Sequence, residues 1–313
     1  MKKINGIHHI TAIAGNPQKN IDFYSGILGL KFIKKTINFD DPGTYHFYYG
    51  DETGNPGSIL TFFPWNEHGF RGKRGTGQVG TISFSIPVSS LNFWKTRLTN
   101  NNIEFAGPLK RFDEEVLIFE DHDEFEIEIV ASEEENRPGY KYLDIPGEHS
   151  IRGFWSATIW HKKTEPTEEF LKSIFEFKSL KESDARLRLI SEEGGPGKYI
   201  DLLKLPVKEK GIMGVGTIHH IAFRTDNETA QLQVREVLVN KNFNVTPVID
   251  RKYFKSIYFR EPGNVLFEVA TDPPGFLIDE TTGSLNSSLK LPPWLEPMRN
   301  EIELNLPSVK IPE

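Results

Sequence analysis

Four times along the chain, a glycine is followed by a short β-prone run, then a stretch with helical spacing, then alternating or aromatic-rich segments. The opening runs are Gly6-Ile7-His8-His9-Ile10, Gly80-Thr81-Ile82-Ser83-Phe84, Gly153-Phe154-Trp155-Ser156-Ala157 and Gly216-Thr217-Ile218-His219-His220. Apolar residues at i, i+3, i+7 then predict helices. They are Ile21, Tyr24 and Leu28 in the first unit, behind an Asn16-Pro17 start signal, and Leu91, Trp94 and Leu98 in the second. Phe170, Leu171, Ile174 and Phe175 mark the third helix, and Leu232, Arg235 and Val239 mark the fourth less cleanly. The units close on Ile59–Phe63, Phe125–Ile129, Tyr199–Leu203 and Val265–Val269. Each unit of roughly 50–57 residues therefore reads βαβββ.

One such unit carries a four-stranded sheet with one helix and leaves a sheet face uncovered, so units must pair. The expected fold is α+β, with four βαβββ modules pairing into two domains. Modules 1 and 2 are expected in residues 1–140 and modules 3 and 4 in 141–272. The polar, breaker-rich Glu133–Gly139 stretch lies at the join. Residues 273–313 form a Pro-containing tail in which Pro292-Pro293-Trp294-Leu295 is expected to dock on the body.

With 313 residues the chain is long enough for two cores, and its formal charge of −7 makes nucleic acid or an anionic membrane a poor partner. The absence of cysteine excludes disulfides, thiolate metal sites and a cysteine nucleophile. No apolar run approaches the ~20 residues of a membrane span, and Met1–Gly6 lacks the apolar segment of a signal peptide. A cytoplasmic protein is expected, with a homo-oligomer left open. Gly75-Thr76-Gly77-Gln78-Val79-Gly80 matches G-x-G-x-x-G, but it precedes a strand instead of following one, so the dinucleotide reading fails.

Candidate chemistry lies in the nine histidines. His8-His9 and His219-His220 are adjacent pairs at the same place in two repeats, each followed by Ile. A regular strand alternates faces, so only one member of each pair is expected to enter a shared cavity. Aligned by eye, Phe84 and Ala157 fall at the second position of the pair, which makes His9 and His220 the inward residues. Glu268, in an otherwise apolar strand, is costly to bury unless paired or bound to a metal; an edge strand with the carboxylate in water is the alternative. Two imidazoles and a carboxylate suit non-haem Fe(II), and Zn(II) also uses this set. Glu128 and Phe62 are aligned with Glu268, but no histidine accompanies Glu128. The cavity is therefore expected between modules 1 and 4, with modules 2 and 3 as scaffold. His46 either lines the pocket or packs in its strand. His68, His122, His149 and His161 are expected to be surface or structural.

The four modules and these histidine positions resemble the vicinal-oxygen-chelate superfamily of glyoxalases, extradiol dioxygenases and drug-binding resistance proteins. The runs Ile7–Thr11, Tyr49–Asp51, Leu60–Trp65 and His219–Phe223 are similar to bacterial dioxygenases that open hydroquinones. The resemblance implies curved, barrel-like mixed sheets and a metal held by His9, His220 and Glu268. It also implies catalytic or supporting roles for His8, Thr11, His219, Arg251 and Tyr258. Related glyoxalases use a fourth, carboxylate ligand at the end of the first module, a position aligned here with Phe62.

The leading expectation is an Fe(II)-dependent ring-cleaving dioxygenase of the extradiol type acting with O2 on a small hydroquinone or catechol-like aromatic. The rivals are a glyoxalase-like lyase or isomerase using Mn(II), Zn(II) or Ni(II), and a non-catalytic small-molecule binding protein.

Overall fold

The computed structural model describes residues 4–66, 69–191, 194–286 and 288–312; His68 lies outside them. All four βαβββ modules are present. Module 1 runs β1 (Ile7–Ala14), α1 (Pro17–Ile21, continued as a wider turn through Ile27), β2 (Lys31–Asn38), β3 (Asp41–Gly50) and β4 (Ile59–Pro64). Module 2 is β5 (Gln78–Pro87), α2 (Leu91–Asn100), β6 (Phe105–Arg111), β7 (Glu114–Glu120) and β8 (Glu126–Ser132). Module 3 is β9 (Phe154–His161), α3 (Glu165–Ser173), β10 (Lys178–Ser183), β11 (Arg186–Ile190) and β12 (Tyr199–Lys204). Module 4 is β13 (Thr217–Thr225), α4 (Glu228–Asn240), β14 (Ile249–Asp250), β15 (Phe254–Arg260) and β16 (Leu266–Pro274).

The strands form two eight-stranded mixed sheets, ordered β14-β15-β16-β13-β1-β4-β3-β2 and β10-β11-β12-β9-β5-β8-β7-β6. Hydrogen bonding thus joins module 1 to module 4 and module 2 to module 3, crossing the division expected at 140/141. Each opening strand has two edges. One takes the last strand of its own module in parallel, and the other takes the opening strand of the distant partner. Core packing also links neighbouring modules. Phe23 of module 1 meets Phe119 of module 2 at 6.4 Å, and Phe170 of module 3 meets Phe259 and Phe267 of module 4 at 5.5 and 5.9 Å. On that packing we propose 1–140 and 141–272 as the units that share a core.

The first two helices bury the stripes expected of them, and α1 carries its cap. Asn16 Oδ1 accepts from the Gln18 and Lys19 amides at the start of α1, and Ile21, Tyr24, Leu28, Trp94 and Leu98 are fully buried. The α4 stripe differs from its sequence reading. Leu232 and Val239 are exposed, and the buried face is Ala230, Gln231, Val234 and Leu238. Gln231 earns its buried place because its Nε2 donates to the Lys255 and Val269 carbonyls at 2.7 and 2.8 Å.

The tail docks on the module 1–4 sheet. Phe276 packs on Tyr48 and Tyr253 at 5.1 and 4.8 Å. Leu289, Leu291, Ile302 and Leu306 are buried. Trp294 is not the anchor: it stays 61% exposed, touching Phe39 by an edge. The buried Lys34 ammonium ties the tail down through Asp279 and Glu280. Among the described residues, no helix is long and apolar enough to cross a membrane.

Candidate metal centre

The central strands β1 and β13 run antiparallel, with Thr11 opposite His220 and His9 opposite Ala222. The pairing contains two bulges. His8 is the extra residue between Ile7 and His9, and His219 is the extra residue opposite the Thr11–Ala12 step. A bulge breaks alternation, so both members of each pair can lie on the same side. His8 Nδ1 contacts His9 Nδ1 at 2.9 Å, and His219 Nδ1 contacts His220 Nδ1 at 2.7 Å. The expectation that only one of each pair enters the cavity fails for the second pair, where the bulge lets His219 and His220 both line it, and holds for the first, where His9 lines it and His8 does not. The alignment behind it is also corrected: Phe84 and Ala157 are buried in the main core, and neither lines the cavity at His9 and His220.

β16 lies beside β13 in parallel, with Glu268 at the level of Ala222. Three buried donors then converge. His9 Nε2 is 3.2 Å from His220 Nε2, and Glu268 Oε2 is 3.2 Å from His9 Nε2 and 2.9 Å from His220 Nε2. The neighbours hold the Nδ1 atoms, so the Nε2 lone pairs are left to face inward. Ser256 Oγ donates to Glu268 Oε1. Glu268 Oε2, fully buried, has no hydrogen-bond partner of acceptable geometry. A buried carboxylate oxygen without a hydrogen bond, facing two imidazole lone pairs, fits a divalent cation. Burial pushes the Glu268 carboxyl up, but His9 and His220 outweigh it and hold it well below the carboxylate range. Burial lowers the His8, His46 and His220 imidazoles and takes His219 down to about 3, so these rings are neutral near pH 7. Among the described residues, these three side chains form the one cluster suited to a metal.

The donors open into a cavity of about 380 Å³. Phe39, Phe63, Trp65, Phe254, Ile249 and Leu266 supply its apolar wall. Thr11, His46, Tyr48, His219, Arg251 and Tyr258 also line it, whereas His8 sits behind His9. Arg251 Nε donates to the Tyr258 hydroxyl at 3.3 Å, and Arg251 Nη1 reaches Asp40 at 3.1 Å.

Phe62 neither lines this cavity nor occupies the fourth-ligand position. It packs on Tyr24 at 4.4 Å, on the opposite face of β4. Thr61 lies level with Thr11, as Glu268 lies level with Ala222. A one-residue slip in a strand exchanges its faces, and here it exchanges Phe62 for Thr61. Sequence reasoning also missed Tyr48, Phe254 and Ser256. Period-two alternation through His46-Phe47-Tyr48 and Phe254-Lys255-Ser256 was the available signal.

Among the described residues, the second sheet holds no metal cluster, because its carboxylates are already paired. Glu128, aligned with Glu268, is taken by Arg111 Nη2 at 2.6 Å and by Ser83 Oγ at 2.6 Å. Arg188 forks onto Asp201 at 2.7 and 2.9 Å and also bonds Glu114. These ion pairs put fixed cations beside the carboxylates of the second sheet.

Comparisons with known proteins agree with this architecture. The family model "Glyoxalase/Bleomycin resistance protein/Dioxygenase superfamily" matches residues 6–129 and 156–278. The chain is 43% identical over 305 residues to "Putative ring-cleaving dioxygenase MhqO" of Bacillus subtilis, covering 97% of this chain and 96% of that protein. It is 32% identical to the chlorohydroquinone/hydroquinone 1,2-dioxygenase of Sphingobium indicum, covering 96% and 95%. A crystal structure of a "putative dioxygenase from Bacillus subtilis" superposes with a TM-score of 0.95 at 42% identity, over 100% of both chains. The chain belongs to the glyoxalase/bleomycin resistance protein/dioxygenase superfamily.

Proposed function

We propose that this protein is an Fe(II)-dependent dioxygenase that opens the ring of a hydroquinone or a related small aromatic with O2. One observation carries the reading: His9, His220 and Glu268 present three donors to one point at the floor of an aromatic-walled cavity. The hydroquinone dioxygenase named above supports the substrate class.

Held by those three residues, Fe(II) supplies a Lewis acid for a ring hydroxyl and the electron-transfer centre for O2. The protein does the rest. His8 and His219 fix the tautomers of the ligating rings, and Ser256 orients the carboxylate. Phe63 and Phe254 pack the ring and exclude water. Arg251 stabilises an anionic ring oxygen. Tyr258 keeps its proton because burial and Glu268 raise its pKa, so its hydroxyl is a donor. Thr11 Oγ1, 2.9 Å from His220 Nε2, stands beside the donor cluster.

Thr61 weighs against the glyoxalase-like reading, because it places a hydroxyl where a fourth carboxylate ligand is needed. Oxygen uptake by anaerobically Fe(II)-loaded protein given a panel of hydroquinones and catechols tests the proposal. Uptake abolished by His9→Ala is expected. Oxygen-independent turnover of an aldehyde–thiol adduct, or uptake that survives His9→Ala, would overturn it.

A further inference from the structure

The tail leaves β16, the strand that carries Glu268, and turns back on the walls of the cavity. Gly275 makes the reversal at φ +80°, and its amide donates to the Tyr253 carbonyl at 2.9 Å. Phe276 then seats against Tyr48 and Tyr253, and Tyr48 lines the cavity. Three residues on, Asp279 meets side chains from two separate elements. Its Oδ1 accepts from Lys34 Nζ of β2 at 2.8 Å. Its Oδ2 is 2.7 Å from Lys252 Nζ and accepts from the Tyr253 hydroxyl at 3.2 Å. β2 and β14 are the outermost strands of the module 1–4 sheet. One carboxylate therefore ties one end of that sheet to the turn beside the other.

Lys252 and Tyr253 follow Arg251 in that turn. Arg251 lines the cavity and they do not. Lys252 holds φ +70°, a left-handed conformation that a lysine keeps where its surroundings impose it. Within the turn, Asp250 Oδ1 accepts from the Lys252 amide at 2.7 Å, and the Arg251 amide donates to the Phe254 carbonyl at 2.9 Å. From outside, the tail adds the Asp279 carboxylate, the Phe276 ring and the Leu291 carbonyl, 3.5 Å from Lys252 Nζ. The Arg251 guanidinium has the Tyr258 hydroxyl at 3.3 Å and the exposed Asp40 at 3.1 Å. An exposed ion pair holds a long side chain weakly, so the direction of the guanidinium depends on where the turn is fixed.

We propose that Asp279 is a positioning residue for Arg251, which makes the C-terminal tail a working part of the candidate site. By gripping Lys252 and Tyr253, Asp279 fixes the turn so that the guanidinium points into the cavity at the oxygen of a bound ring. Asp279 does not line the cavity and acts through Arg251. A small shift of the turn carries the end of this side chain out of hydrogen-bonding reach. The proposal rests on the reading above, in which Arg251 meets an anionic ring oxygen.

The test titrates protein loaded with redox-inert Zn(II) with 4-nitrocatechol above the probe's first pKa, where visible absorbance reports the bound anion. Asp279→Asn keeps the volume and loses the ion pairs to both lysines. Lys252→Met cuts the link to the turn and leaves Lys34 on Asp279 and Glu280. Each is expected to weaken probe binding roughly 10-fold, as is Arg251→Met. Either one combined with Arg251→Met should bind no more weakly than Arg251→Met alone, because the same interaction is lost once. Glu280→Gln loosens the tail without touching the turn. It should lower Tm and leave probe affinity within about twofold. Wild-type affinity in folded Asp279→Asn or Lys252→Met would overturn the proposal. So would losses that multiply with that of Arg251→Met, or an equal loss in Glu280→Gln. Absence of O2 uptake by the Fe(II)-loaded wild type would overturn the dioxygenase reading alone, because probe binding to the Zn(II) protein does not use oxygen.

Discussion

Glu268→Gln separates a metal ligand from a structural carboxylate. The substitution keeps the volume and the oxygen that Ser256 Oγ bonds. It replaces Oε2, which has no hydrogen bond, with an amide NH2 facing His9 Nε2 and His220 Nε2 at about 3 Å. Near pH 8 the His220 ring is neutral, so the new amide can donate to a lone pair and no ion pair is lost. The metal-free variant should therefore match or exceed wild-type stability, within about 1 kcal/mol. The metal-loaded state should respond oppositely. An ion at 100 times its dissociation constant stabilises the wild type by about 2.7 kcal/mol. Removing a charged ligand should raise the dissociation constant at least about 100-fold, which cuts the gain to about 0.4 kcal/mol. Differential scanning fluorimetry with and without Fe(II) or Mn(II) should show a rise of roughly 5 °C for the wild type and under about 1 °C for the variant. A variant that unfolds several degrees earlier without metal, or that keeps the full metal-induced rise, would refute the reasoning.

Lys34→Met removes the buried cation that bonds Asp279 and Glu280. Lys252 at 2.7 Å from Asp279 and Lys290 at 3.3 Å from Glu280 compensate in part, so the cost should be about 3 kcal/mol. A lower urea midpoint and faster proteolysis within 275–312 are expected; a change under about 0.5 kcal/mol would contradict the clamp. Burial lowers His161 from 6.5 to about 4. As pH falls from 6.5 towards 4 the unfolded chain binds a proton that the folded chain refuses, so stability drops by up to about 3 kcal/mol over that window. His161→Gln should flatten the fall in Tm between pH 7.5 and 5, and an unaltered slope would refute the assignment. Tyr24 donates to Asp121 Oδ2 at 2.8 Å in the core between modules 1 and 2. Tyr24→Phe should cost about 2 kcal/mol in urea unfolding, and a neutral result would show that water or a proton takes the vacated place.

Much of this protein is local and was readable from residue order. Glycine, strand, helical stripe and alternating segments define four modules, because backbone preference and hydrophobic period act over a few residues. Two histidine pairs at matched repeat positions and one carboxylate in an apolar strand marked the candidate ligands, because repeated unusual chemistry survives any uncertainty about packing. Face and partner were different matters. The bulges at His8 and His219 depend on how β1 and β13 align across 211 positions of sequence, and no local pattern encodes that register. Thr61 instead of Phe62 at the counterpart of Glu268 is a single-residue shift that only the hydrogen-bonded neighbour strand determines. The hydrogen-bonded joining of module 1 to module 4 and the tail seated on their shared sheet exist only after strands far apart in sequence pair. Short-range preference chose the parts, and long-range pairing chose which side chains meet.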